Sequence, residues 1–339
     1  KDFLSRYQSF NDKVQRAQNL EDWFDIHNEL CEWTVKFDKI EDINLNNLLV
    51  EQAAEADKVF NQFIAKEYRN LVSGEETKKL FTPHTIKNNL FDDLNNGDKA
   101  VLIIMDCLRS DQWKLMSTSL FSDYKIETNY QSSIIPSTTF YSRNAIFSGL
   151  FPSDLYDMHP DIYSKMTESE NCYNKYEHEL LKGQLSRNSL SHVSNNYIKV
   201  SSYEYGKSFS KNIKNFKNID LLCVVVNFID ILAHSRSESG VLKEVLTDEA
   251  SYRDIIHSWI ENSWFRDVLN EIKKWGRKIV ITSDHGSIMA KKPVRLKAYK
   301  DISSGVRYKI GRNIKVKEKY ALRIEDPESY KLPNLDPNE

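Results

Sequence analysis

Aspartate and histidine side chains follow three apolar runs of the 339-residue sequence, at the points where the runs end. Asp106 follows the first run, Asp230 and His234 follow the second, and Asp284 and His285 follow the third. Carboxylate and imidazole groups together are a common ligand set for divalent transition metals, and Zn²⁺ in particular accepts mixed oxygen and nitrogen ligands. Asp230 and His234 are one helical turn apart, so both can point at one ion if a short helix follows the run. These residues predict a metal site.

The apolar runs predict the strands that must position these residues. Each run is continuous and rich in β-branched residues, as in parallel strands that are buried on both faces. Helical stretches separate the runs, which favours a βαβ layer fold, and ligands of such sheets bind beyond the carboxyl ends of the strands. The predicted strands are Ala100–Met105, Asp220–Phe228 and Arg277–Ser283, and the predicted helical stretches include Ser142–Ser148, Tyr173–Leu181 and Tyr252–Trp275.

A cluster of hydroxyl side chains, Ser137, Thr138 and Thr139, lies just before one of these helical patterns. One interpretation is structural, because Ser and Thr are favoured residues at the start of a helix. The other is chemical, because a hydroxyl at a helix start meets the positive end of the helix dipole, and a nearby metal would lower its pKa further. The pattern alone leaves both interpretations open.

The N-terminal part of the sequence predicts three amphipathic helices. Apolar residues recur at helical spacing in stretches that begin at Phe3, Leu20 and Leu45, with charged residues on the opposite faces. Short connections between them favour an antiparallel bundle. Elsewhere, the Ser/Asn-rich patch at 186–196 is typical of a surface loop, and residues 295–339 predict loops and short strands.

Composition excludes several function classes. The chain has 10 glycines, spaced so widely that neither a G-x-G-x-x-G fingerprint nor a Walker P-loop is present. A net charge of −2 offers no general attraction to DNA. No apolar run approaches the roughly 20 residues of a membrane span, so we expect no membrane insertion. The 4 cysteines form no C-x-x-C pair, which favours free thiols in a reducing cytoplasm.

The stretch at 136–152 carries a resemblance to a known family. Its Pro-x-x-Thr-Phe segment leads into a helical pattern that ends at Gly-Leu-x-Pro. This arrangement resembles the nucleophile motif of the alkaline-phosphatase superfamily, in its nucleotide pyrophosphatase/phosphodiesterase-like branch. The resemblance implies that Thr139 is the nucleophile and that it also bridges toward the metal ions.

The same resemblance implies how the metal ligands divide between two ions. Asp106, Asp284 and His285 match the first metal site of the superfamily, and Asp230 and His234 match the second. Superfamily members usually complete the second site with a later histidine, whereas no histidine follows His285 here. The remaining candidates for that ligand are His159, His178 and His257.

Two further runs are more specific. Met-Asp-Cys-Leu-Arg-Ser-Asp-Gln-Trp at 105–113 and Ser-Arg-Asn-Ala-Ile-Phe-Ser-Gly-Leu at 142–150 resemble a PglZ-type domain, as in the output half of PorX-like response regulators of the type IX secretion system. In that family a receiver domain, which has no match here, precedes a helical bundle and the PglZ-type domain. The implied domains are a three-helix bundle at 1–75 and the PglZ-type domain at 76–339. The implied fold is α/β, with an alkaline-phosphatase-like parallel-sheet core and helices on both faces, preceded by an all-α helical bundle.

The resemblance implies a zinc-dependent phosphodiesterase or phosphatase with two Zn²⁺ ions. Thr139 would attack phosphorus in line to form a phospho-threonyl intermediate, which water then hydrolyses. Arg143 and Asn144, in the helix that follows, are candidate donors to the equatorial phosphate oxygens, although both also fit a surface helix.

A basic segment at 291–300 follows the Asp-His-Gly triplet directly. Its positive charge favours an anionic substrate with more than one phosphate, so we expect a nucleotide or a short oligonucleotide phosphodiester. A merely solvated basic loop is the alternative. The candidate substrate-binding residues are Lys291, Lys292, Arg295 and Lys297.

Two function classes remain open from the sequence. The first is the phosphodiesterase, acting as the cytoplasmic output domain of a two-component response regulator that controls protein secretion. The second is a non-catalytic regulatory scaffold that binds a nucleotide or a protein partner. The bundle is suited to dimerisation or interdomain contacts, so a homodimer is a candidate. The resemblance implies a secretion-system or sensor-kinase protein as a further candidate partner.

Overall fold

A computed structural model describes residues 2–40, 42–290, 293–298, 302–303, 305 and 307–334, with the backbone alone at 2–5. Its helices are α1 (Asp2–Arg16), α2 (Leu20–Phe37), α3 (Ile43–Ser73), α4 (Thr85–Asn95), α5 (Ser110–Leu120), α6 (Thr139–Ser148), α7 (Pro152–Met158), α8 (Pro160–Thr167), α9 (Glu177–Arg187), α10 (Tyr203–Asn212), α11 (Phe228–Glu238), α12 (Gly240–Val245), α13 (Glu249–Asn262) and α14 (Trp264–Lys273). Its strands are β1 (Ala100–Met105), β2 (Asn195–Val200), β3 (Leu221–Val226) and β4 (Lys278–Thr282). Short 3₁₀ helices lie at Thr77–Leu80, Thr82–His84, Glu170–Cys172, Ile213–Phe216, Glu318–Tyr320 and Glu328–Tyr330.

The strands form one parallel sheet in the order β2-β3-β1-β4. Met105 of β1 pairs with Val226 of β3, and Ile104 pairs with Thr282 of β4, so the three strands end at the same edge. Every residue of β1 and β3 is buried, which explains why both are continuous apolar runs. The sheet and its helices confirm the predicted α/β class.

The three predicted strands are present as β1, β3 and β4, and β2 is an addition. The expectation of a surface loop at 186–196 is wrong at both ends, because α9 continues to Arg187 and β2 begins at Asn195. At the sheet edge β2 pairs only with β3 and is partly exposed along most of its length. An edge strand therefore carries polar residues and lacks the continuous apolar run of a central strand.

The N-terminal bundle has the three helices that the sequence predicts. Phe10 and Val14 of α1 pack with Trp23 and Ile26 of α2 and with Ala56 of α3. Helix α2 begins at a capping box in which the Asn19 side chain accepts from the backbone N–H of Asp22. The bundle is therefore held by a small apolar core of its own.

The chain forms two compact units that are each discontinuous in sequence. The first comprises residues 1–66, 92–132 and 192–286, and the second comprises residues 67–91, 133–191 and 287–339. The sheet and the bundle helices, apart from the end of α3, thus belong to the first unit. A domain boundary between residues 75 and 76 stays a prediction.

In the first unit, one face of the sheet is covered by helices. Apolar side chains of α5, α10, α11, α13 and α14 form one cluster with alternate residues of β1 and β3. The helical stretch predicted at Tyr252–Trp275 is in fact two helices, because Ser263 interrupts it. Ser263 has extended backbone angles, and its side chain accepts from the N–H of Phe265 to begin α14.

In the second unit, helix α6 is the central element, since all of its residues from Phe140 to Ser148 are buried. It ends at Gly149, whose φ of 68° is the left-handed conformation that favours glycine. A Cβ at this position would also collide with the side chain of Gln184 on α9. The expected short strands at 295–339 reduce to an isolated antiparallel bridge between Lys297 and Lys315 within the residues that the structure describes there.

No helix within the described ranges has the length and apolar character needed to cross a membrane.

Candidate metal centre and helix α6

Asp106 lies at the carboxyl end of the central strand β1. Its backbone N–H donates to the carbonyl of Val226 at 3.0 Å, which continues the β1–β3 ladder by one residue. The chain then turns at Cys107, which has a φ of 70°, and α5 begins at Ser110. Asp106 is 1% exposed, so its carboxylate is held in the interior at the edge of the sheet.

Asp284 and His285 follow β4 at the same edge. The Oδ1 atom of Asp284 accepts from the backbone N–H of His285 at 3.1 Å and of Cys107 at 3.4 Å. The Ser283 hydroxyl donates to the carbonyl of His285 at 2.7 Å. These bonds tie the turn after β4 to the turn after β1, and Asp284 is 1% exposed.

The ring of His285 is oriented by its own chain. Its Nδ1 atom lies 3.0 Å from the carbonyl of Gly286, so a proton on Nδ1 would be donated there. This tautomer leaves the lone pair of Nε2 available, and Nε2 lies 3.6 Å from Asp106 Oδ1 and 3.9 Å from Asp284 Oδ2. Histidine ligands of metals are commonly oriented in this way, by a hydrogen bond from the nitrogen that does not bind the metal.

Asp230 and His234 lie on the first turns of α11, which begins directly after β3. The sequence pattern predicted such a helix. The Nε2 atom of His234 lies 3.6 Å from Asp230 Oδ1. The His234 side chain is 75% exposed, whereas that of Asp230 is 22% exposed. This part of the site is therefore open to solvent, unlike Asp106 and Asp284.

Three of these five side chains form a candidate metal-ligand cluster. Asp106, Asp230 and His285 each offer one ligand atom, and these three atoms lie within 4.8 Å of one another. In the described ranges, no other group of three or more Asp, Glu, His or Cys residues is arranged in this way. In a tetrahedral zinc site with bonds of about 2.0 Å, ligand atoms are about 3.3 Å apart. The separation of 3.6 Å between His285 Nε2 and Asp106 Oδ1 is close to that value. The donor set of two carboxylates and one imidazole fits a divalent metal ion.

The three histidines considered for the later ligand lie in other surroundings. His257 Nε2 is 2.7 Å from the Ser119 hydroxyl, and His159 Nε2 is 3.1 Å from Arg187 Nη1. His178 is on α9 in the second unit. None of the three belongs to the cluster of described ligand residues.

Thr139 is the first residue of α6, in the second unit. The helix begins three residues earlier than the predicted stretch, because Thr138 has extended backbone angles and acts as the N-cap. The Asn174 side chain donates to the carbonyl of Thr139 at 3.2 Å, and Thr139 itself is half-buried. The hydroxyl cluster is thus at a helix start, as both interpretations of the sequence require.

Arg143 and Asn144 are fully buried and hold helix α6 in place. Arg143 Nε donates to Glu177 Oε1 of α9 at 2.5 Å, and the two side chains are 1% and 0% exposed. The Asn144 amide donates to the carbonyls of Phe140 and Tyr173 at 2.7 and 2.8 Å. Contact with a phosphate stays a prediction for both residues.

The predicted substrate-binding residues are only partly described. Arg295 and Lys297 are exposed, whereas Lys291 and Lys292 lie outside the described residues. Sequence reasoning missed Arg307, whose guanidinium donates to the carbonyl of Ser137 and lies 3.2 Å from its hydroxyl. Arg307 and Ser137 are 170 positions apart, so no spacing rule could have linked them.

Two protein-family models match the chain. The model described as the BREX system PglZ alkaline phosphatase-like domain matches residues 86–331, well over half of the sequence, and that of the PorX response regulator linker domain matches residues 1–72. No curated protein gives a significant match. The two matches confirm the resemblance and together indicate a phosphoesterase-like hydrolase that serves as an output domain. The chain belongs to the PglZ alkaline phosphatase-like domain family.

Proposed function

We propose that this protein is a zinc-dependent phosphodiesterase or phosphatase that acts on nucleotides or short oligonucleotides. In this proposal it is the output domain of a two-component response regulator that controls protein secretion by the type IX system. The observation that carries the proposal is the cluster of Asp106, Asp230 and His285 at the sheet edge, in a chain of the PglZ family. The PorX linker match supports the regulatory part.

The proposal includes two zinc ions. Asp106, Asp284 and His285 would hold the first ion, and Asp230 and His234 would hold the second. The distances of 3.6 Å from His285 to Asp106 and from His234 to Asp230 support this division. Bound zinc would neutralise charge on the phosphate oxygens and lower the pKa of a nearby hydroxyl or water.

Thr139 would be the nucleophile. Its Oγ1 atom attacks phosphorus, the new P–O bond forms as the bond to the leaving oxygen breaks, and the hydroxyl proton is released to solvent or to the leaving group. Water then attacks the phospho-threonine and frees both the phosphate product and the Thr139 hydroxyl. The position of Thr139 at the start of α6 supports this role, because the helix dipole favours negative charge there.

Positive charge supports an anionic substrate with more than one phosphate. Arg295 and Lys297 are exposed, and Arg307 contacts the segment that precedes Thr139. Such cations attract a phosphodiester chain more strongly than a small monoester, because each added phosphate adds a further attraction.

The test compares two adjacent threonines. We expect purified protein to contain zinc and to hydrolyse bis-p-nitrophenyl phosphate and short oligonucleotides in a chelator-sensitive manner. Thr139→Ala should lose activity on the order of 10³-fold, with Thr139→Ser retaining part of it. Thr138→Ala is the matched control, since the Thr138 hydroxyl has no hydrogen-bond partner among the described residues and should matter little.

Equal product release by the wild type and Thr139→Ala would refute the nucleophile, and well-folded protein without zinc would refute the metal site. The alternative function, a non-catalytic scaffold, is supported by the PorX linker match. It would be favoured if zinc-loaded wild-type protein bound an oligonucleotide or a protein partner and released no product.

A further inference from the structure

A series of alternating charges runs through the first unit. Three arginines and three carboxylates form consecutive ion pairs, which draw together α2, α5, α11 and α13. We call this series the charge chain. Its members in order are Asp38, Arg253, Asp111, Arg109, Glu249 and Arg236.

The charge chain begins at the bundle. Asp38 is the C-cap residue of α2, and its carboxylate accepts from Arg253 Nε of α13 at 2.7 Å. Arg253 also donates through Nη1 to Asp111 Oδ2 at 2.7 Å, at the start of α5. Because the Arg253 side chain is only 3% exposed, this link between bundle and sheet elements is shielded from water.

From Asp111 the charge chain continues toward the segments after β1, β3 and β4 that carry the candidate metal ligands. Arg109 donates to Asp111 at 3.0 and 2.6 Å and also to Glu249. Glu249 in turn accepts from Arg236 Nη1 at 2.6 Å. Each inner member thus contacts two oppositely charged neighbours.

Two of the arginines are close to the ligands in sequence, and Arg109 is also close to a ligand segment in space. Arg109 follows Asp106 by three residues, and a Cβ built on Gly286 would lie 3.3 Å from Arg109 Cγ, which places this side chain against the residue after His285. Arg236 follows His234 by two residues on the same helix, α11.

Tyr252 completes the connection to α11. The guanidinium groups of Arg109 and Arg236 lie 5.7 and 5.0 Å from its ring centre. Its hydroxyl donates to the carbonyl of Ile229 at 3.4 Å, directly before Asp230. All three metal-ligand segments are therefore in contact with the charge chain or with the ring that its arginines flank.

Ion pairing favours the charged forms of two inner members of the charge chain, Asp111 and Arg109. Burial alone would raise the pKa of Asp111, but its pairs with Arg109 and Arg253 outweigh burial and the pKa is lowered. Burial likewise opposes the charge of Arg109, yet Asp111 and Glu249 raise its pKa. Both directions favour the charged forms of Asp111 and Arg109.

We propose that the charge chain positions the metal ligands and couples the geometry of the metal centre to the end of helix α2, so that a movement of the bundle changes metal affinity. This inference rests on the proposed function, because it assumes that the cluster binds zinc. Asp38, at the bundle end, is a positioning residue in this proposal.

The experiment compares two variants, each of which lacks one carboxylate on α2 or at its C-cap. Asp38→Asn interrupts the charge chain at its first link. Glu32→Gln is the matched control, since Glu32 also lies on α2 and pairs across to α5, with Lys114 at 2.8 Å, but Lys114 has no further ion pair among the described residues. Zinc affinity is measured by competition with a chromophoric chelator, and circular dichroism verifies folding.

We expect Asp38→Asn to lower zinc affinity on the order of tenfold, the lower end of the effect of residues that orient ligands. Asp38→Glu should restore most of it, and Glu32→Gln should change it less than twofold. Equal affinities for Asp38→Asn, Glu32→Gln and the wild type would overturn the coupling while leaving the proposed function intact. A wild type that binds no zinc would overturn both.

Discussion

Two ion-pair systems, one in each compact unit, differ in how their charges are connected. In the second unit Arg143 and Glu177 form a buried pair between α6 and α9, with both side chains at most 1% exposed. In the first unit the charge chain has six members, and its exposure increases from 3% at Arg253 to 35% at Glu249. The first arrangement is local, and the second spans four helices.

The difference predicts two roles. The buried pair holds two helices together, and the charge chain couples segments that are far apart. A fully buried pair has no water to replace a lost partner, so its removal leaves one bare charge in the interior. In the charge chain, Arg253 and Arg109 each keep a second carboxylate when one is lost. The loss of one partner should therefore cost more stability in the buried pair than in the charge chain, and we expect the charge chain to be better suited to transmit a displacement.

The largest expected effect comes from breaking the buried pair. Glu177→Gln leaves the Arg143 guanidinium without its carboxylate and should reduce the free energy of unfolding by about 3–5 kcal/mol. Urea unfolding followed by circular dichroism measures the loss. The double variant Arg143→Met/Glu177→Leu should recover most of it, because both charges are then gone. A loss below about 1 kcal/mol for the single variant would contradict a holding role.

A break in the middle of the charge chain should lower the free energy of unfolding less than the loss of Glu177 does. It should lower the metal affinity more. In Asp111→Asn, Arg253 keeps Asp38 and Arg109 keeps Glu249, so we expect a loss of about 2 kcal/mol in the free energy of unfolding. Zinc affinity should fall at least as much as in Asp38→Asn, whereas Glu177→Gln, measured where it is folded, should leave it within about twofold. If Glu177→Gln lowered zinc affinity more than Asp111→Asn did, the buried pair would have the coupling role and the charge chain the holding role.

The fold could be predicted wherever burial is complete. The central strands β1 and β3 are apolar at every position because both faces are covered, and such runs are visible in sequence. Strand β2 lies at the edge, and its residues Asn195, Asn196 and Lys199 are partly exposed, so periodicity did not reveal it. Its pairing depends on β3, a partner that is distant in sequence.

The sequence predicted that candidate ligands meet at one edge of the sheet, but not the distances between them. The strand ends identified Asp106, Asp230 and His285, because the carboxyl ends of parallel strands share one edge. Their distances depend on the register between strands, which no local pattern contains. The partners Asp38 and Arg253 are 215 positions apart, so no spacing rule could reveal the charge chain.

The smallest expected effect is the pH dependence of the stability that the charge chain contributes. The pKa of Glu249 is lowered: burial opposes its charge, but Arg109 and Arg236 outweigh burial, and the pKa of Asp111 is lowered for a similar reason. Both carboxylates bind fewer protons in the folded than in the unfolded state. Their contribution is therefore complete above the unfolded pKa of about 4 and is lost as the pH falls through and below that value.

The urea midpoint of the wild type should accordingly fall between pH 6 and pH 3, and that of Asp111→Asn should fall less steeply, because asparagine takes up no proton. A chelator is present throughout, so that protonation of the metal ligands does not release zinc and add to the slope. Parallel slopes for the two proteins would mean that Asp111 is not held ionised by Arg109 and Arg253. The charge chain would then resemble a series of solvated surface pairs, and its contrast with the buried pair of α6 would be one of stability alone.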